Sequence, residues 1–303
     1  MNIIEVGPRD GLQNEQRILT IEEKITYIEL LVDAGVTRME AVSFARPDRV
    51  PQMADAESVM AGVPRRDSVS YIGLVMNQRG LDRAIASGVD EANLIVVATE
   101  TFSQRNQGMS IGETLRGTKV MVERAKDAGL SVSVTVGAAF GCPFEGEVST
   151  QRVMEIVTAV DALGVDEIAL ADTIGVGTPV DVRRLVGAAK EITERPLRLH
   201  LHNTRNTGYA NAFAALEAGV SSLDASSGGI GGCPFAPNAT GNIATEDLAY
   251  LMERSGAPVG IDFDRLLVAS DFVTTTLGIA TPALLGRAGW FPAAEYPDAP
   301  TTN

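Results

Sequence analysis

Asp33-Ala34-Gly35-Val36, Ala86-Ser87-Gly88-Val89, Asp127-Ala128-Gly129-Leu130, Ala162-Leu163-Gly164-Val165 and Glu217-Ala218-Gly219-Val220 repeat one local pattern along the chain. In each, a helix-like stretch ends in a small residue and Gly, and an apolar run begins at once. Gly just past a helix end adopts the left-handed conformation that other residues resist, so each instance reads as a helix stop before a strand. The glycines recur at intervals of one or two βα units, too long and too uneven for a solenoid repeat.

Working outward from these stops, short apolar runs without strict alternation fall near 2–6, 37–43, 69–75, 92–98, 131–139, 166–172, 197–202 and 221–226. Such runs suit parallel strands covered on both faces. Amphipathic segments follow them, as at Ile21 to Val32 and Arg152 to Leu163. Eight alternating units predict an α/β fold, a (β/α)8 TIM barrel, in preference to an open doubly wound sheet. Residues 243–291 continue the helical pattern, clearest from Glu246 to Arg254, and predict additional C-terminal helices. The reading is a single barrel domain over 1–291, with 292–303, rich in Pro, Asp and Thr, as a frayed tail.

Composition removes several function classes. Lys and Arg total 25 against 39 Asp and Glu, a net charge of −14, so the basic footprint needed for nucleic acid or an anionic membrane is missing. Any anionic ligand must be held by a local basic cluster. Two cysteines exclude a disulfide scaffold and fit a reducing compartment. No apolar run is long enough for a membrane span. Met1-Asn2-Ile3-Ile4-Glu5-Val6 enters a strand directly, so a soluble cytoplasmic protein is expected.

In a TIM barrel the chemistry gathers at the C-terminal ends of the strands. The loaded residues of this chain fall there: Arg9, Asp10 and Gln13 after the first strand, Glu40 and Ser43 on the second, Asp172-Thr173 on the sixth, His200 and His202 on the seventh. The chain has only two histidines, and a spacing of two puts both on one face of a strand. Two inward imidazoles beside acidic strand ends point to a divalent metal, with Asp10 and Asn242 as the complementary oxygen donors. That donor set suits six-coordinate Mg2+ or Mn2+, with Zn2+ or Co2+ as alternatives. Arg9 supplies a fixed positive charge, either as part of the chemistry or as an ion-pair partner of Glu40. Cys233 follows Gly228, Gly229, Gly231 and Gly232, a run expected to bury little and to move, and two readings stay open: a loop that carries an acid/base thiol, or glycines that approach a phosphate. Cys142, in a Pro-bounded turn, reads as structural.

Arg9-Asp10-Gly11-Leu12-Gln13-Asn14-Glu15, Ser43-Phe44 through Met53, Phe140-Gly141-Cys142-Pro143-Phe144-Glu145-Gly146, Asp172 through Pro179, His200-Leu201-His202-Asn203, and Gly231-Gly232-Cys233-Pro234 through Asp247 together resemble the 3-hydroxy-3-methylglutaryl-CoA lyase family of metal-dependent barrels. The resemblance spans nearly the whole chain in order. It implies Asp10, His200, His202 and Asn242 as metal ligands and Arg9, Glu40, Asp172, His200 and Cys233 as catalytic positions, the base being Asp172 or His200. Candidate substrate contacts are Gln13, Ser43, Asn106, Thr173 and Arg205. The implied reaction is retro-Claisen cleavage of a 3-hydroxy-3-methylglutaryl-CoA-like thioester to acetyl-CoA and a keto acid, in an enzyme that assembles as a dimer.

The chain departs from the family pattern in places. Asn203-Thr204-Arg205-Asn206-Thr207 stands where Asp-Thr-Tyr-Gly-Gln is usual, and Phe144 replaces a common Tyr. These changes leave the metal core and raise a second expectation, a citramalyl-CoA-type or longer-chain 3-hydroxyacyl-CoA substrate. Arg17, Arg46, Arg49 and Arg105 are the cations available to CoA phosphates. The competing readings are a metal-dependent aldolase of a free 2-oxo acid and a non-catalytic metabolite-binding protein.

Overall fold

The structure, a computed structural model, describes residues 1–232 and 241–292. Its strands are β1 (Asn2–Glu5), β2 (Arg38–Ser43), β3 (Ser70–Val75), β4 (Glu91–Val97), β5 (Ser131–Gly137), β6 (Glu167–Asp172), β7 (Leu197–Leu201) and β8 (Ser222–Ala225). The helices are α1 (Ile21–Asp33), α2 (Ala56–Gly62), α3 (Gln78–Ser87), α4 (Glu100–Gln107), α5 (Ile111–Asp127), α6 (Thr150–Asp161), α7 (Pro179–Lys190), α8 (Gly208–Glu217), α9 (Thr245–Arg254), α10 (Phe263–Leu277) and α11 (Leu285–Ala288). The strands pair in sequence order, all parallel, and the barrel closes where β1 meets β8 from Asn2↔Ser222 to Glu5↔Ala225. This is the expected TIM barrel. Every expected strand is present, and each range is within two residues of the observed one at either end. Among the described residues no helix is long and apolar enough to cross a membrane.

The five glycine stops work as the sequence implies. Gly35, Gly88, Gly129, Gly164 and Gly219 all have positive φ, between 68° and 93°. At three of them the next amide reaches back to the last turn: Val36 N to Leu31 O at 3.1 Å, Leu130 N to Ala125 O and Val220 N to Ala215 O at 3.0 Å each. These bonds satisfy carbonyls that would otherwise be orphaned at a helix end. Helix starts are equally explicit. Thr20 with Glu23, and Ser110 with Glu113, form reciprocal capping boxes at the heads of α1 and α5.

The apolar core lies between the barrel and its helices, whereas the barrel interior is unusually polar. Arg38 binds Glu91 and Glu167 at the N-terminal end of the barrel, and Arg198, Asp224, Asn93 and Thr135 fill the layer above. Branched aliphatic side chains usually occupy these layers. The interior is therefore a stack of charge pairs rising to the strand ends.

The glycine run after β8 departs from expectation. Residues 226–231 are buried rather than loosely exposed, and Ser227–Gly229 forms a short 3-10 turn. Two buried carboxylates hold it: Glu5 accepts Ser227 N at 3.0 Å, and both oxygens of Glu246 accept Gly228 N. Thr281 Oγ1 donates to Gly228 O at 2.8 Å. Backbone groups satisfied by buried side chains can be buried themselves, which composition alone does not reveal. Cys233 lies outside the described residues.

Burial pushes the Glu5 and Glu246 carboxyls up to about 7, although backbone amides pull both the other way. A carboxyl that holds its proton more tightly when folded contributes stability that is complete below pH 4.5 and is lost as pH rises through about 7. The full effect is on the order of 3 kcal/mol per group. Urea midpoints of the protein should fall between pH 5 and pH 8, roughly spanning those values. The fall should be smaller in Glu246→Gln, which fixes the neutral form, and a Glu246→Gln curve parallel to the parent's would contradict it.

Candidate functional site

One turn of π-helix, Gly7–Gly11, carries the chain from β1 across the barrel mouth and presents Arg9 and Asp10. Pro8 occupies its first turn, where a missing amide hydrogen costs nothing. A Cβ on Gly7 would lie 2.2 Å from the Tyr27 hydroxyl, and one on Gly11 would lie 2.7 Å from both Ile230 and Ser226. The turn therefore packs at a distance open only to glycine. Such single π turns recur where a side chain must be re-aimed at a functional site.

Arg9 is buried and fully engaged. Its Nε donates to Glu40 Oε2 at 2.6 Å, Nη2 makes a second bond to the same oxygen, and Nη1 donates to Asp10 Oδ1 at 2.6 Å and to Gln13 Oε1 at 3.4 Å. Glu40 Oε1 accepts Asn93 Nδ2 at 2.9 Å. A register shift between Glu40 and Val42 in the β2–β3 pairing marks a bulge beside this contact, a common device for turning a side chain inward. The ion-pair reading of Arg9 and Glu40 is thus realised, and it fixes the guanidinium at the mouth.

His200 and His202 meet Asp10 there. The two Nε2 atoms stand 3.0 Å apart, and His200 Nε2 lies 3.8 Å from Asp10 Oδ2. One donor atom from each of the three residues falls within 4.8 Å of the others. Two imidazole nitrogens bound side by side to a divalent ion at about 2.1 Å would stand about 3 Å apart, so the pair fits a shared ion. His200 Nδ1 pairs with Asp224 Oδ2 at 3.1 Å, which leaves the Nε2 lone pair for the mouth. An isolated bridge between His202 and Asn242 brings the returning chain alongside, and Asn242 Nδ2 reaches Asp10 Oδ2 at 3.0 Å. All four expected metal-site residues converge.

The electrostatics favour a cation at Asp10 and His202, while His200, despite its burial, is raised by the Asp224 and Asp10 carboxylates and must shed its proton to bind an ion. Burial alone would raise Asp10, but Arg9, with help from His200 and the Asn242 amide, outweighs it and holds the carboxyl well below the usual carboxylate range. Burial, helped by neighbouring His200, depresses His202 to about 3, so that ring is neutral. A neutral imidazole and an ionised carboxylate are the forms that bind metal.

The cluster lines a cavity of about 180 Å³ shared with Gln13, Asn93, Phe102, Asn106, Thr135, Thr173 and Asp224. Beside it runs a groove of about 680 Å³ that shares Arg9, Gln13, Ile95 and Asn106 and continues past Ser43, Arg46, Arg49 and Arg105. Three of the four expected cations therefore flank one groove. Arg17 does not line it, and pairs with Glu23 at the surface. Arg205 also lies off both cavities, donating to the carbonyls of Ile174 and Gly175. Thr173 Oγ1 accepts Ala138 N at 2.9 Å.

Asp172 is buried, but its oxygens turn to the loop after β6, where they accept Val176 N at 2.9 Å and Gly177 N at 3.0 Å. Burial raises its carboxyl despite those bonds. Three polar residues lining the cavity were not singled out from sequence: Asp224, Asn93 and Thr135. Asp224 and Asn93 each carry a signal in the sequence, an acid or amide at an inward strand position, whereas Thr135 shares its strand with Ser131 and Ser133 and does not stand out.

The HMGL-like family model matches residues 1–273. The (R)-citramalyl-CoA lyase of Chloroflexus aurantiacus is 43% identical over 300 residues, covering 95% of each chain. The mitochondrial hydroxymethylglutaryl-CoA lyase of Macaca fascicularis is 39% identical over 289 residues, 95% of this chain and 89% of the relative. A solved HMG-CoA lyase of Acinetobacter baumannii, in complex with coenzyme A and 3-methylmalate, superposes with a TM-score of 0.92 at 39% identity, covering 98% of this chain and 97% of that one.

Proposed function

The chain belongs to the HMGL-like family, and from that premise we propose that it is a divalent-metal-dependent carbon–carbon lyase. It splits a 3-hydroxy-3-methylglutaryl-CoA-like thioester into acetyl-CoA and a keto acid. The observation that carries the reading is the convergence of Asp10, His200 and His202 beside Arg9, at the junction of a small cavity and an arginine-flanked groove.

Asp10, His200, His202 and Asn242 would hold the ion, Mg2+ or Mn2+ being the best match to a mixed nitrogen and oxygen set, with Zn2+ or Co2+ as alternatives. When bound it supplies Lewis-acid polarisation of substrate oxygens. Arg9, pinned by Glu40 and Gln13, needs no reorganisation to stabilise charge developing on the thioester oxygen as the carbon–carbon bond breaks. Gln13, Asn106 and Thr173 line the acyl cavity and orient the substrate, while Ser43 lines the groove. Asp172, whose oxygens each accept one backbone amide, keeps a second lone pair on each with which to take the hydroxyl proton. Cys233 is assigned the proton delivered to the enolate carbon. The assembly is assigned as a dimer, readable by light scattering.

A second substrate reading rests on the 43% identity to the citramalyl-CoA lyase. Purified protein with Mg2+ or Mn2+ and a panel of thioesters separates the two. Cleavage of the methylglutaryl compound releases a 3-oxo acid, and cleavage of the citramalyl compound a 2-oxo acid. Turnover of a free hydroxy acid without CoA would overturn both readings in favour of an aldolase.

The groove makes its own prediction. Reversing the charge of Arg46, Arg49 and Arg105 together should raise KM for a CoA thioester by about 10- to 100-fold, with kcat little changed and an effect that shrinks in high salt. The corresponding pantetheine thioester, which lacks the nucleotide phosphates, should be insensitive. Equal losses on both thioesters would place the phosphates elsewhere.

A further inference from the structure

β7 carries Arg198 and His200 on the inner face of the barrel at a spacing of two, and His202 continues that spacing just past the strand end. The two imidazoles reach the cavity, but Arg198 stays beneath it with only 2% of its surface exposed. Nothing in the proposed reaction uses this guanidinium, and burying one is costly unless it is paired. Its neighbours indicate its task. Arg198 Nε lies 3.6 Å from Asp224 Oδ1, Nη1 lies 3.5 Å from Glu167 Oε2, and Nη2 donates to Thr135 Oγ1 at 3.2 Å. Asp224 stands opposite His200 in the β7–β8 register and meets its Nδ1 through Oδ2 at 3.1 Å. One carboxylate thus faces the imidazole with one oxygen and the guanidinium with the other.

We propose that Asp224 and Arg198 are positioning residues: Asp224 accepts a hydrogen bond from the Nδ1–H of His200, and Arg198 holds Asp224 in the orientation that allows it, so that the Nε2 lone pair of His200 faces Asp10 and His202. The inference rests on the metal reading of that cluster. Its geometry is nonetheless present in the chain itself and can be tested with no metal added. A ligand imidazole whose second nitrogen is anchored is fixed in both tautomer and ring orientation, and losing the anchor usually weakens metal binding about 10- to 100-fold. Arg198 deepens the arrangement by one step: its Nε stands 3.6 Å from Asp224 Oδ1 without a hydrogen bond, so its charge is what favours that orientation of the carboxylate.

Because the chain contains only two histidines, 15N-labelled histidine gives two resolvable imidazoles. In the metal-free protein at alkaline pH, His200 is expected as the Nδ1–H tautomer. In Asp224→Asn the side-chain amide can donate to Nδ1, so the tautomer should move toward Nε2–H and Mn2+ affinity should fall about 10- to 100-fold. Arg198→Met should give mixed tautomers and a smaller affinity loss, and Arg198→Lys should restore much of both. A purely structural role would lower the melting temperature of Arg198→Met while leaving tautomer and Mn2+ affinity unchanged, and that result overturns the proposal. So does an Nε2–H tautomer of His200 in the unaltered protein, a measurement that does not depend on any variant folding. Failure of the unaltered protein to bind Mn2+, with the Nδ1–H tautomer intact, would instead overturn the metal reading.

Discussion

His202→Ala is expected to lower kcat by on the order of 10³-fold or more and to strip bound divalent metal from the purified protein. The reasoning starts from what the remaining groups can do. Without His202 the cluster retains one imidazole, one carboxylate and the neutral Asn242 amide, and Asp10 is already shared among Arg9 and Asn242. An ion held by three protein donors, one of them a neutral amide, is held more weakly, and the same ion is what lowers the barrier to cleavage. The fold should survive, because His202 sits at the barrel mouth rather than in the packed layer, and its Nδ1 makes no hydrogen bond among the described residues. Elemental analysis and steady-state kinetics with saturating Mn2+ check the two halves. Chelation of the unaltered protein should reproduce the kinetic loss and readdition should reverse it, whereas His202→Ala should respond to neither. Retention of stoichiometric metal with turnover within about tenfold of the parent would remove His202 from the ligand set.

How far the sequence could be read follows from which interactions are local. Helix stops at Gly35 or Gly219 depend on a few residues of neighbouring backbone, so the barrel was legible from them. His200 and His202 were legible because a spacing of two on a strand fixes a common face whatever surrounds it. Asp172 illustrates the limit. Its position at a strand end is plain in the sequence, but the direction its carboxylate turns is set by the amides of Val176 and Gly177, which the loop delivers only after folding. Gly228 and Gly229 fail for the same reason in the opposite sense. Glycines without context suggest exposure, and here Glu5, from the far end of the chain, and Glu246 satisfy the turn and allow its burial. Arg46, Arg49 and Arg105 could be named as cations, but only the groove separates them from Arg17. Asp224 and Asn93 were within reach, since a polar residue inside an apolar run of a barrel strand must face a partner.

Arg9→Met should cut kcat by about 10²- to 10³-fold while leaving metal content unchanged, because it removes charge stabilisation and no ligand. It should also destabilise the fold, for a reason separate from catalysis. Glu40 is 2% exposed, and Arg9 is the only cation bonded to it among the described residues. Removing one member of a buried pair strands the other, at a cost of about 3 to 5 kcal/mol. The two consequences can be pulled apart with Arg9→Met/Glu40→Gln, which leaves no charge stranded at position 40, only the partly exposed Asp10 losing its guanidinium, and lets Asn93 keep a partner at position 40. That double variant should regain most of the lost thermal stability and none of the lost kcat. Glu40→Gln alone should retain metal and show an intermediate rate, since the guanidinium keeps its charge but loses the anchor that aims it. Recovery of activity together with stability in the double variant would mean that Arg9 serves the barrel and not the reaction, and the charge stabilising the departing enolate would then have to come from elsewhere at the mouth.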